Sequence, residues 1–335
     1  MRYRQLGTTG VEVSEIGFGC WTVGTTWWGD RPEGEAIRLL QRALDLGITF
    51  YDTADTYGSG QGETILARAF GGQRQRIVIA TKFGYDFYTH SGPRTGQREL
   101  PQDFSPAFAR KALEASLRRL ATDYVDLYQL HNPRMDAVLR DDLFAELDRL
   151  KDEGKIRAYG LALGPAIGGT EHGDAALRAR HVDSLQIIYN LLEQDPGRRF
   201  FPIAREQGVG IVVRVPHSSG LLEGKYTLET TFAPTDHRSH RPREWLVDGL
   251  KKLERLEFLT AGGGRTIGQF ALRYVLAEPS VASALPNIYD EQQLVEFVGA
   301  SDTPDPTPDE LARIADLYAH GFYLDQPAPT GAGAS

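Results

Sequence analysis

Short apolar runs alternate with amphipathic stretches along most of the chain. The runs are rich in Ile, Val, Leu and Tyr, and most of them lack a strict alternation of apolar and polar residues. Strands that are buried on both faces, as parallel strands are, have this character. The eight predicted strands are residues 15–19, 48–52, 77–82, 125–131, 156–162, 183–188, 210–214 and 281–285.

Amphipathic helical patterns fill the intervals between the predicted strands. The clearest of them are residues 34–47, 105–120, 141–154 and 266–279. The first repeats apolar side chains at helical spacing and stops at Gly47, a residue type that ends helices. The second opens with Ser105 in an N-cap position and with Pro106 in the first turn, where proline is favoured.

Eight strands with intervening helices predict an α/β fold, the (β/α)8 or TIM barrel, which needs about 250 residues. The chain has 335 residues. The surplus is assigned to an N-terminal β-hairpin over residues 1–13, to two long loops and to a C-terminal tail. The loops, residues 84–105 and 215–243, follow barrel strands three and seven, on the face where such barrels keep their active sites. We expect one domain, residues 1–335, with a flexible tail from about residue 322.

An open doubly wound sheet would show the same alternation of strands and helices. That fold binds dinucleotides through a G-x-G-x-x-G motif after its first strand, with an acidic residue about twenty positions later. Here residues 17–24 are GFGCWTVG, in which the glycine spacing does not match. The pattern therefore favours the barrel.

Composition and charge narrow the class of protein. Apolar residues make up 41% and charged residues 24%, which is ordinary for a soluble globular protein. The net charge of −8 argues against binding to nucleic acid or to an anionic membrane. The single cysteine, Cys20, excludes an intramolecular disulfide, and the first residues are too polar for a secretory signal. We expect a cytoplasmic protein that is a monomer or a weak homo-oligomer.

Polar residues of four different chemical types lie at the ends of three consecutive predicted strands. The second strand ends at Asp52 and is followed five residues later by Tyr57, the third ends at Lys82, and the fourth ends at His131. Each of these residues alone has an ordinary structural role. The carboxyl ends of barrel strands share one rim, so the four side chains are predicted to meet there.

Carbonyl reduction is a reaction that uses all four residues. Transfer of a hydride to a carbonyl carbon leaves an alkoxide, which must receive a proton. The Tyr57 hydroxyl has a reference pKa near 10, and the Lys82 ammonium would lower that pKa. Asp52 would hold Lys82 in place, and His131 would polarise the carbonyl oxygen. A hydrolase or isomerase is disfavoured, because the strand ends carry no paired carboxylates, metal cluster or Ser-His pair.

The loop over residues 215–243 contains two histidines and several arginines. His237 and His240 lack a third ligand at a useful spacing, so no metal site is expected. We interpret the loop as a lid over a bound cofactor or substrate.

The chain resembles the aldo-keto reductase family over nearly its whole length, in a bacterial-type form related to the potassium-channel β-subunit branch. The matching segments are LGTTGVEVSEIGFGCW, FYDTADTYGSGQGE, IVIATKFG, SLRRLATDYVDLYQLHNP, GKIRAYGL, GLLEGKY and LPNIYDEQQL. The family's catalytic tetrad falls on Asp52, Tyr57, Lys82 and His131. The resemblance implies NADPH-dependent reduction of aldehydes or ketones to alcohols, with NADH as a possible cofactor. The alternative is a cofactor-binding regulatory protein that senses redox state and turns over little substrate.

The resemblance also implies where cofactor and substrate bind. Gln186 would contact the nicotinamide carboxamide, residues 214–222 would follow the ring and pyrophosphate, and Gln293 and Glu296 would hold the adenosine end. The full set of implied cofactor contacts is Cys20, Trp21, Asp52, Gln186, Arg214, Pro216, Ser218, Gly220, Lys225, Asn287, Gln293 and Glu296. The implied substrate pocket consists of Trp21, Trp28, Tyr57, His131 and Asn132.

The chain departs from the family at three cofactor positions. Ala162 and Leu163 replace residues whose side chains donate or accept hydrogen bonds. Arg214 stands where an aromatic residue often stacks on the nicotinamide, and a guanidinium there is expected to favour the neutral reduced ring. Residues 286–290 contain no cation for a 2′-phosphate. Other candidates for that charge are Lys225, Arg238 and Arg241 of the long loop.

Overall fold

The structure, a computed structural model, describes residues 1–26, 31–90, 99–164 and 170–325. Eight parallel strands form one sheet in which each strand pairs with its neighbour along the chain. A further parallel bridge between Ile16 and Ala284 joins the region before the first strand of the sheet to the last strand. This bridge closes the sheet into a barrel, and the predicted (β/α)8 fold is confirmed.

The strand positions agree with the prediction to within three residues at either end. The strands are β1 Tyr3–Gln5, β2 Glu12–Ser14, β3 Phe18–Gly19, β4 Phe50–Asp52, β5 Val78–Phe83, β6 Val125–His131, β7 Ile156–Ala162, β8 Ser184–Ile188, β9 Gly210–Arg214 and β10 Val281–Leu285. The helices are α1 Trp21–Gly24, α2 Glu33–Asp45, α3 Gln61–Ala69, α4 Pro106–Leu120, α5 Met135–Val138, α6 Asp141–Asp152, α7 Thr170–Ala179, α8 Asp195–Gln207, α9 Arg243–Arg255, α10 Ile267–Leu276, α11 Glu291–Gly299 and α12 Pro308–Ala319.

The helix termini follow the local sequence. The Ser105 hydroxyl accepts a hydrogen bond from the Phe108 amide and caps α4, as its position predicted. The first predicted helix, α2, ends two residues before Gly47, which has a φ of +93°. Within the described ranges no helix is long and apolar enough to cross a membrane.

The predicted N-terminal hairpin closes the bottom of the barrel. Strands β1 and β2 pair antiparallel, and Leu6, Val11 and Val13 on and beside them are almost completely buried. These side chains join an inner cluster with residues from the barrel strands, including Phe50 and Leu127. A second, larger apolar layer lies between the strands and the surrounding helices. The hairpin therefore supplies the apolar floor of the barrel interior.

The barrel interior changes from apolar to polar along the strands. The apolar inner layer includes Phe50, Ala80, Leu127, Ala158 and Val212. Residues two positions apart in a strand face the same side. Two positions beyond Phe50, Ala80 and Leu127 lie Asp52, Lys82 and Gln129, all buried. The strand periodicity therefore places a polar layer directly above the apolar one, at the C-terminal rim.

The two long loops lie on this rim, as predicted. The loop after β5 extends to Ser105, although residues 91–98 are outside the described part of the chain. The loop after β9 contains two short 3₁₀ helices, Ser218–Glu223 and His237–His240, before α9 begins. At residue 322, where the flexible tail was expected to begin, the Phe322 side chain is only 2% exposed and packs in the outer core.

Replacement of Phe50 tests the inner apolar layer. Because Phe50 is completely buried, Phe50→Ala should lower the free energy of unfolding by about 3–5 kcal/mol. Urea denaturation followed by circular dichroism measures this change. Leu228→Ala, at a position that is 55% exposed, is the control and should change the value by less than about 0.5 kcal/mol. Equal effects of the two changes would contradict the layer described here.

Candidate active site

A buried ion pair lies at the centre of the polar layer. The Lys82 Nζ donates to Asp52 Oδ1 at 2.5 Å and to the Thr53 carbonyl oxygen at 2.7 Å. Lys82 is fully buried and Asp52 is 4% exposed. Burial alone would lower the pKa of the Lys82 ammonium, but Asp52 and Tyr57 raise it above its ordinary value. Lys82 is therefore a fixed positive charge inside the barrel.

The second oxygen of Asp52 is held by two glutamines. Gln129 on β6 and Gln186 on β8 donate to Asp52 Oδ2 at 3.1 Å and 2.9 Å. Sequence reasoning missed Gln129, although its place two residues before His131 puts both on one face of β6. Gln186 was predicted to contact a nicotinamide carboxamide. Its amide nitrogen donates to Asp52 in this structure, which leaves its oxygen and its second N–H for any such contact.

Tyr57 lies on a tight turn after β4. Gly58, Ser59 and Gly60 all have positive φ values, which turns the chain back within four residues. Gly60 has a φ of +98°, and a Cβ there would lie 2.6 Å from the Cδ of Arg119. A residue with a side chain would therefore be strained and would collide with α4. This turn aims the Tyr57 ring at Lys82.

The Tyr57 hydroxyl lies 3.5 Å from Lys82 Nζ. The sequence led us to expect that the ammonium lowers the pKa of this phenol. Burial has the larger effect and raises the pKa of Tyr57 above its ordinary value, while Lys82 opposes that shift. Lys82 thus acts on the pKa in the expected direction, and the sequence reasoning left out desolvation, which outweighs it. The hydroxyl keeps its proton at neutral pH, which is the form a proton donor requires.

Aromatic rings enclose the space beside the Tyr57 hydroxyl. The His131 ring is 5% exposed, and its centroid lies 5.9 Å from the Tyr57 ring and 5.0 Å from the Tyr85 ring. Trp21 stacks on Tyr57 from the other side at 6.4 Å, and the His237 ring packs edge-on against Trp21 at 4.8 Å. The contact with His237 agrees with the interpretation of the loop after β9 as a lid.

A buried charged network lies behind the Tyr57 turn. Arg119 Nε donates to Glu63 at 2.6 Å, and the Thr81 hydroxyl donates to the other oxygen of Glu63 at 2.6 Å. The Tyr88 hydroxyl donates to Asp55 at 3.3 Å and accepts from Arg119 at 3.2 Å. Burial and the charge of Glu63 raise the pKa of Asp55 well above its ordinary value. The network connects α3, α4 and the loop after β5 to the turn, and the sequence did not reveal it.

Arg214 is turned across the barrel mouth. Its guanidinium donates to the Leu163 carbonyl oxygen at 2.5 Å. Burial lowers the pKa of Arg214, whereas the charges of Tyr57 and Asp52 oppose the shift. Its Nε is buried without a hydrogen-bond partner among the described residues. Two of the departures from the family, Arg214 and Leu163, are therefore in direct contact.

The segment after β9 forms a tight turn of left-handed residues. Ser218, Ser219 and Gly220 have φ values of +46°, +56° and +98°. The Ser218 and Gly220 amides donate to the Val215 and His217 carbonyl oxygens at 3.1 Å and 3.0 Å. The Tyr226 ring packs against Gly220 where a side chain would lie, so only glycine fits there. Pro216 and Ser218 are buried, and Lys225 is exposed.

The other end of the cleft contains a second polar cluster. Gln293 Nε2 donates to Glu223 at 2.8 Å, and Gln293 Oε1 accepts from the Tyr289 amide at 2.9 Å. Burial raises the pKa of Glu223 to about 7. Glu296 accepts from the Thr266 hydroxyl at 2.7 Å. Sequence reasoning selected Gln293 and Glu296 but missed Glu223.

The remaining predicted site residues differ in their burial and in their contacts. Cys20 is fully buried, and burial raises the pKa of its thiol well above the ordinary value. Asn132 donates to the Tyr85 hydroxyl at 2.9 Å, beside His131. Asn287 is half-buried, and Trp28 lies outside the described residues. The searched part of the chain contains no group of three or more His, Cys, Asp or Glu side chains arranged to hold a metal ion.

The fold and the site together define a class of protein. A parallel barrel with a tyrosine, a lysine, an aspartate and a histidine at its C-terminal rim is typical of barrel oxidoreductases that use a nicotinamide cofactor. The family model described as the aldo/keto reductase family matches residues 15–319. The chain therefore belongs to the aldo/keto reductase family.

Two relatives from Bacillus subtilis resemble the chain along most of its length. Aldo-keto reductase YhdN of Bacillus subtilis (strain 168) is 34% identical over 297 residues, which cover 85% of this chain and 84% of that protein. Uncharacterized oxidoreductase YqkF of the same organism is 30% identical over 332 residues, which cover 96% of this chain and 98% of that protein. Both names are those of oxidoreductases.

Solved structures give the same result. The holo form of aldo-keto reductase AKR11C1 from Bacillus halodurans matches with a TM-score of 0.74 and 32% identity, over 95% of this chain and 96% of that one. Glycerol dehydrogenase AKR11B4 from Gluconobacter oxydans matches with a TM-score of 0.81 and 28% identity, over 99% of both chains. The resemblance to the family seen in the sequence is confirmed.

A double-mutant cycle tests the central ion pair. Asp52→Asn should lower the free energy of unfolding by about 3–5 kcal/mol, because Lys82 is left as an uncompensated buried charge. Lys82→Met should also destabilise the protein, whereas the Asp52→Asn/Lys82→Met double variant should recover part of the loss. Urea denaturation at pH 7 measures all four proteins. Simple addition of the two single losses would show that the side chains do not interact.

Proposed function

We propose that the protein reduces aldehyde or ketone carbonyls to alcohols, with a reduced nicotinamide dinucleotide as cofactor and Tyr57 as proton donor. The observation that carries this proposal is the distance of 3.5 Å between the Tyr57 hydroxyl and Lys82 Nζ, together with the 2.5 Å ion pair behind it. Membership of the aldo/keto reductase family supports the reaction class. One of the matching structures is that of a glycerol dehydrogenase, an enzyme named for a small alcohol.

The residues present are suited to hold such a cofactor. Arg214 Nε, Glu223 Oε1 and Gln129 Oε1 are buried polar atoms without hydrogen-bond partners in the described part of the chain. Burial of an unpaired polar atom is costly, and a bound ligand that pairs with it removes the cost. We propose that Gln186 and Arg214 lie along the nicotinamide, that the Ser218–Gly220 backbone faces the pyrophosphate, and that Gln293 and Glu296 lie at the adenosine end.

When bound, the reduced cofactor supplies the hydride for the carbonyl carbon. The protein's own residues manage the proton and the substrate oxygen. Tyr57 donates its proton to the developing alkoxide, and the fixed charge of Lys82 stabilises the phenolate that remains. Asp52 prevents Lys82 from moving away, and His131 donates a hydrogen bond to the carbonyl oxygen in its neutral or charged form. Trp21, stacked on Tyr57, gives the pocket an apolar wall suited to an aromatic or aliphatic carbonyl compound.

The resemblance implies NADPH, and NADH is the other candidate. The expected location is the cytoplasm, a reducing compartment that suits the single buried thiol of Cys20. The choice between the two cofactors depends on the residues that face the adenosine ribose.

Removal of the Tyr57 hydroxyl tests the proton donor. Tyr57→Phe should lower kcat for 4-nitrobenzaldehyde by at least about 100-fold, because no other group donates the proton. Its affinity for the cofactor should stay close to that of the unaltered protein. Absorbance at 340 nm follows turnover, and titration calorimetry measures binding. Cofactor binding without turnover by the unaltered protein would instead favour the redox-sensing alternative.

Replacement of Arg214 tests its place beside the nicotinamide. A cation near the ring disfavours the positively charged oxidised form, so Arg214→Ala should raise the affinity for oxidised relative to reduced cofactor by about fivefold. Binding titrations with both forms give the ratio. Arg205→Ala removes an exposed cation that pairs with Glu278 and should leave the ratio unchanged. An unaltered ratio in Arg214→Ala would place the guanidinium away from the ring.

A further inference from the structure

Glu223 is a half-buried acid that the proposed reaction does not use. It is the last residue of the 3₁₀ helix Ser218–Glu223, in the long loop after β9. Gln293 Nε2 donates to its Oε2 at 2.8 Å, and the Gln293 oxygen is held by the Tyr289 amide. The amide of Gln293 is thus occupied at both ends and fixes the orientation of the Glu223 carboxylate.

The other oxygen of Glu223 has the properties of a ligand acceptor. Glu223 Oε1 is buried and has no hydrogen-bond partner among the described residues. A buried carboxylate oxygen without a donor is destabilising, so its presence calls for a ligand group that donates to it. A ribose hydroxyl is such a donor, and in dinucleotide-binding proteins an acidic side chain commonly accepts from the ribose 2′-hydroxyl of NADH.

A phosphate in the same place would meet unfavourable charges. Glu223 Oε1 would repel it, and no cation follows Pro286 in the segment 286–290. Arg238 is nearby, but its guanidinium makes two bonds to Asp236, at 2.6 and 2.8 Å, and one to the Tyr226 hydroxyl. Its charge is therefore already compensated. Lys225 and Arg241 of the long loop have no carboxylate partner in the described contacts. Lys225 is exposed, and the Arg241 guanidinium donates to the Ser219 hydroxyl at 3.4 Å, on the segment proposed to face the pyrophosphate.

We propose that Glu223 determines which dinucleotide the protein accepts, by receiving a hydrogen bond from the ribose 2′-hydroxyl of NADH and repelling the 2′-phosphate of NADPH. This inference rests on the proposed function, since it requires the cofactor to reach this end of the cleft. It reverses the order of preference that the family resemblance implies. Gln293 acts as a positioning residue for the carboxylate.

The discrimination should depend on pH. Burial raises the pKa of Glu223 to about 7, so the carboxylate is charged at pH 8.5 and largely protonated at pH 6. NADPH affinity relative to NADH should therefore rise as the pH falls through 7. The titratable and charged groups that face Glu223 are Lys225, Tyr226, Arg238, Tyr289 and Glu296. The 2′-phosphate itself titrates near pH 6, and a variant at position 223 separates the two effects.

Titration calorimetry with NADH and NADPH, on the full chain without substrate, tests the proposal. At pH 8.5 the unaltered protein should bind NADH at least as tightly as NADPH. Glu223→Gln keeps the size of the side chain and its contact with Gln293, and should raise NADPH affinity relative to NADH by about tenfold. Between pH 8.5 and 6 the ratio should change less in Glu223→Gln than in the unaltered protein. Retained NADH binding by the variant shows that it is folded.

Glu291→Gln is the matched control, because it removes one negative charge from α11, the helix that carries Gln293, at an exposed ion pair with Arg42. It should leave both the ratio and its pH dependence unchanged. Preference of the unaltered protein for NADPH at pH 8.5, or an unchanged ratio in Glu223→Gln, would overturn the role of Glu223 while leaving the reductase proposal intact. Failure to bind either dinucleotide would instead remove the proposed function.

Discussion

The ion pair between Lys82 and Asp52 is the constraint around which the barrel interior is organised. Two opposite charges have been taken out of water, which is costly unless every remaining hydrogen-bonding position is filled. Here the Thr53 carbonyl, directly after β4, and the side chains of Gln129 on β6 and Gln186 on β8 fill those positions. The apolar layer beneath, closed by the N-terminal hairpin, keeps water away from below. A charge fixed in this way needs no reorganisation when a neighbouring oxygen becomes negative, which is the condition for efficient electrostatic catalysis.

The state of Tyr57 follows from the same burial. The ammonium of Lys82 favours the phenolate, but removal of the ring from water favours the phenol more strongly. The residue therefore carries its proton until negative charge develops on the substrate oxygen. A turn of left-handed residues and the charged network around Glu63 and Arg119 hold it in place, so the geometry of the donor depends on side chains that touch no substrate. Lys82 and burial thus set the pKa of the phenol, whereas the turn and the Glu63–Arg119 network set its position.

The sequence predicted the fold well because each barrel strand is buried on both faces and is bounded by polar or glycine-rich segments. It also placed Asp52, Lys82 and His131 at one rim, since parallel strands end there, and in the structure Lys82 contacts Asp52 while the His131 ring lies beside the Tyr57 ring. It could not predict that Gln186 binds Asp52 or that Arg214 binds the Leu163 carbonyl. Such contacts join segments far apart in sequence, and the choice among several possible partners depends on side-chain packing. Glu223 was missed for the same reason, because its significance comes from Gln293 on another element.

The parallel bridge between Ile16 and Ala284 has a consequence for biosynthesis. The two partners are separated by most of the chain, so the first strand of the barrel has no neighbour on one side until the last strand has left the ribosome. Until then its edge, and the apolar floor above the hairpin, stay open to other chains. Long-range closure of this kind is slow and exposes surfaces that aggregate. Demand for chaperones should therefore be greatest for nascent chains that stop just short of β10.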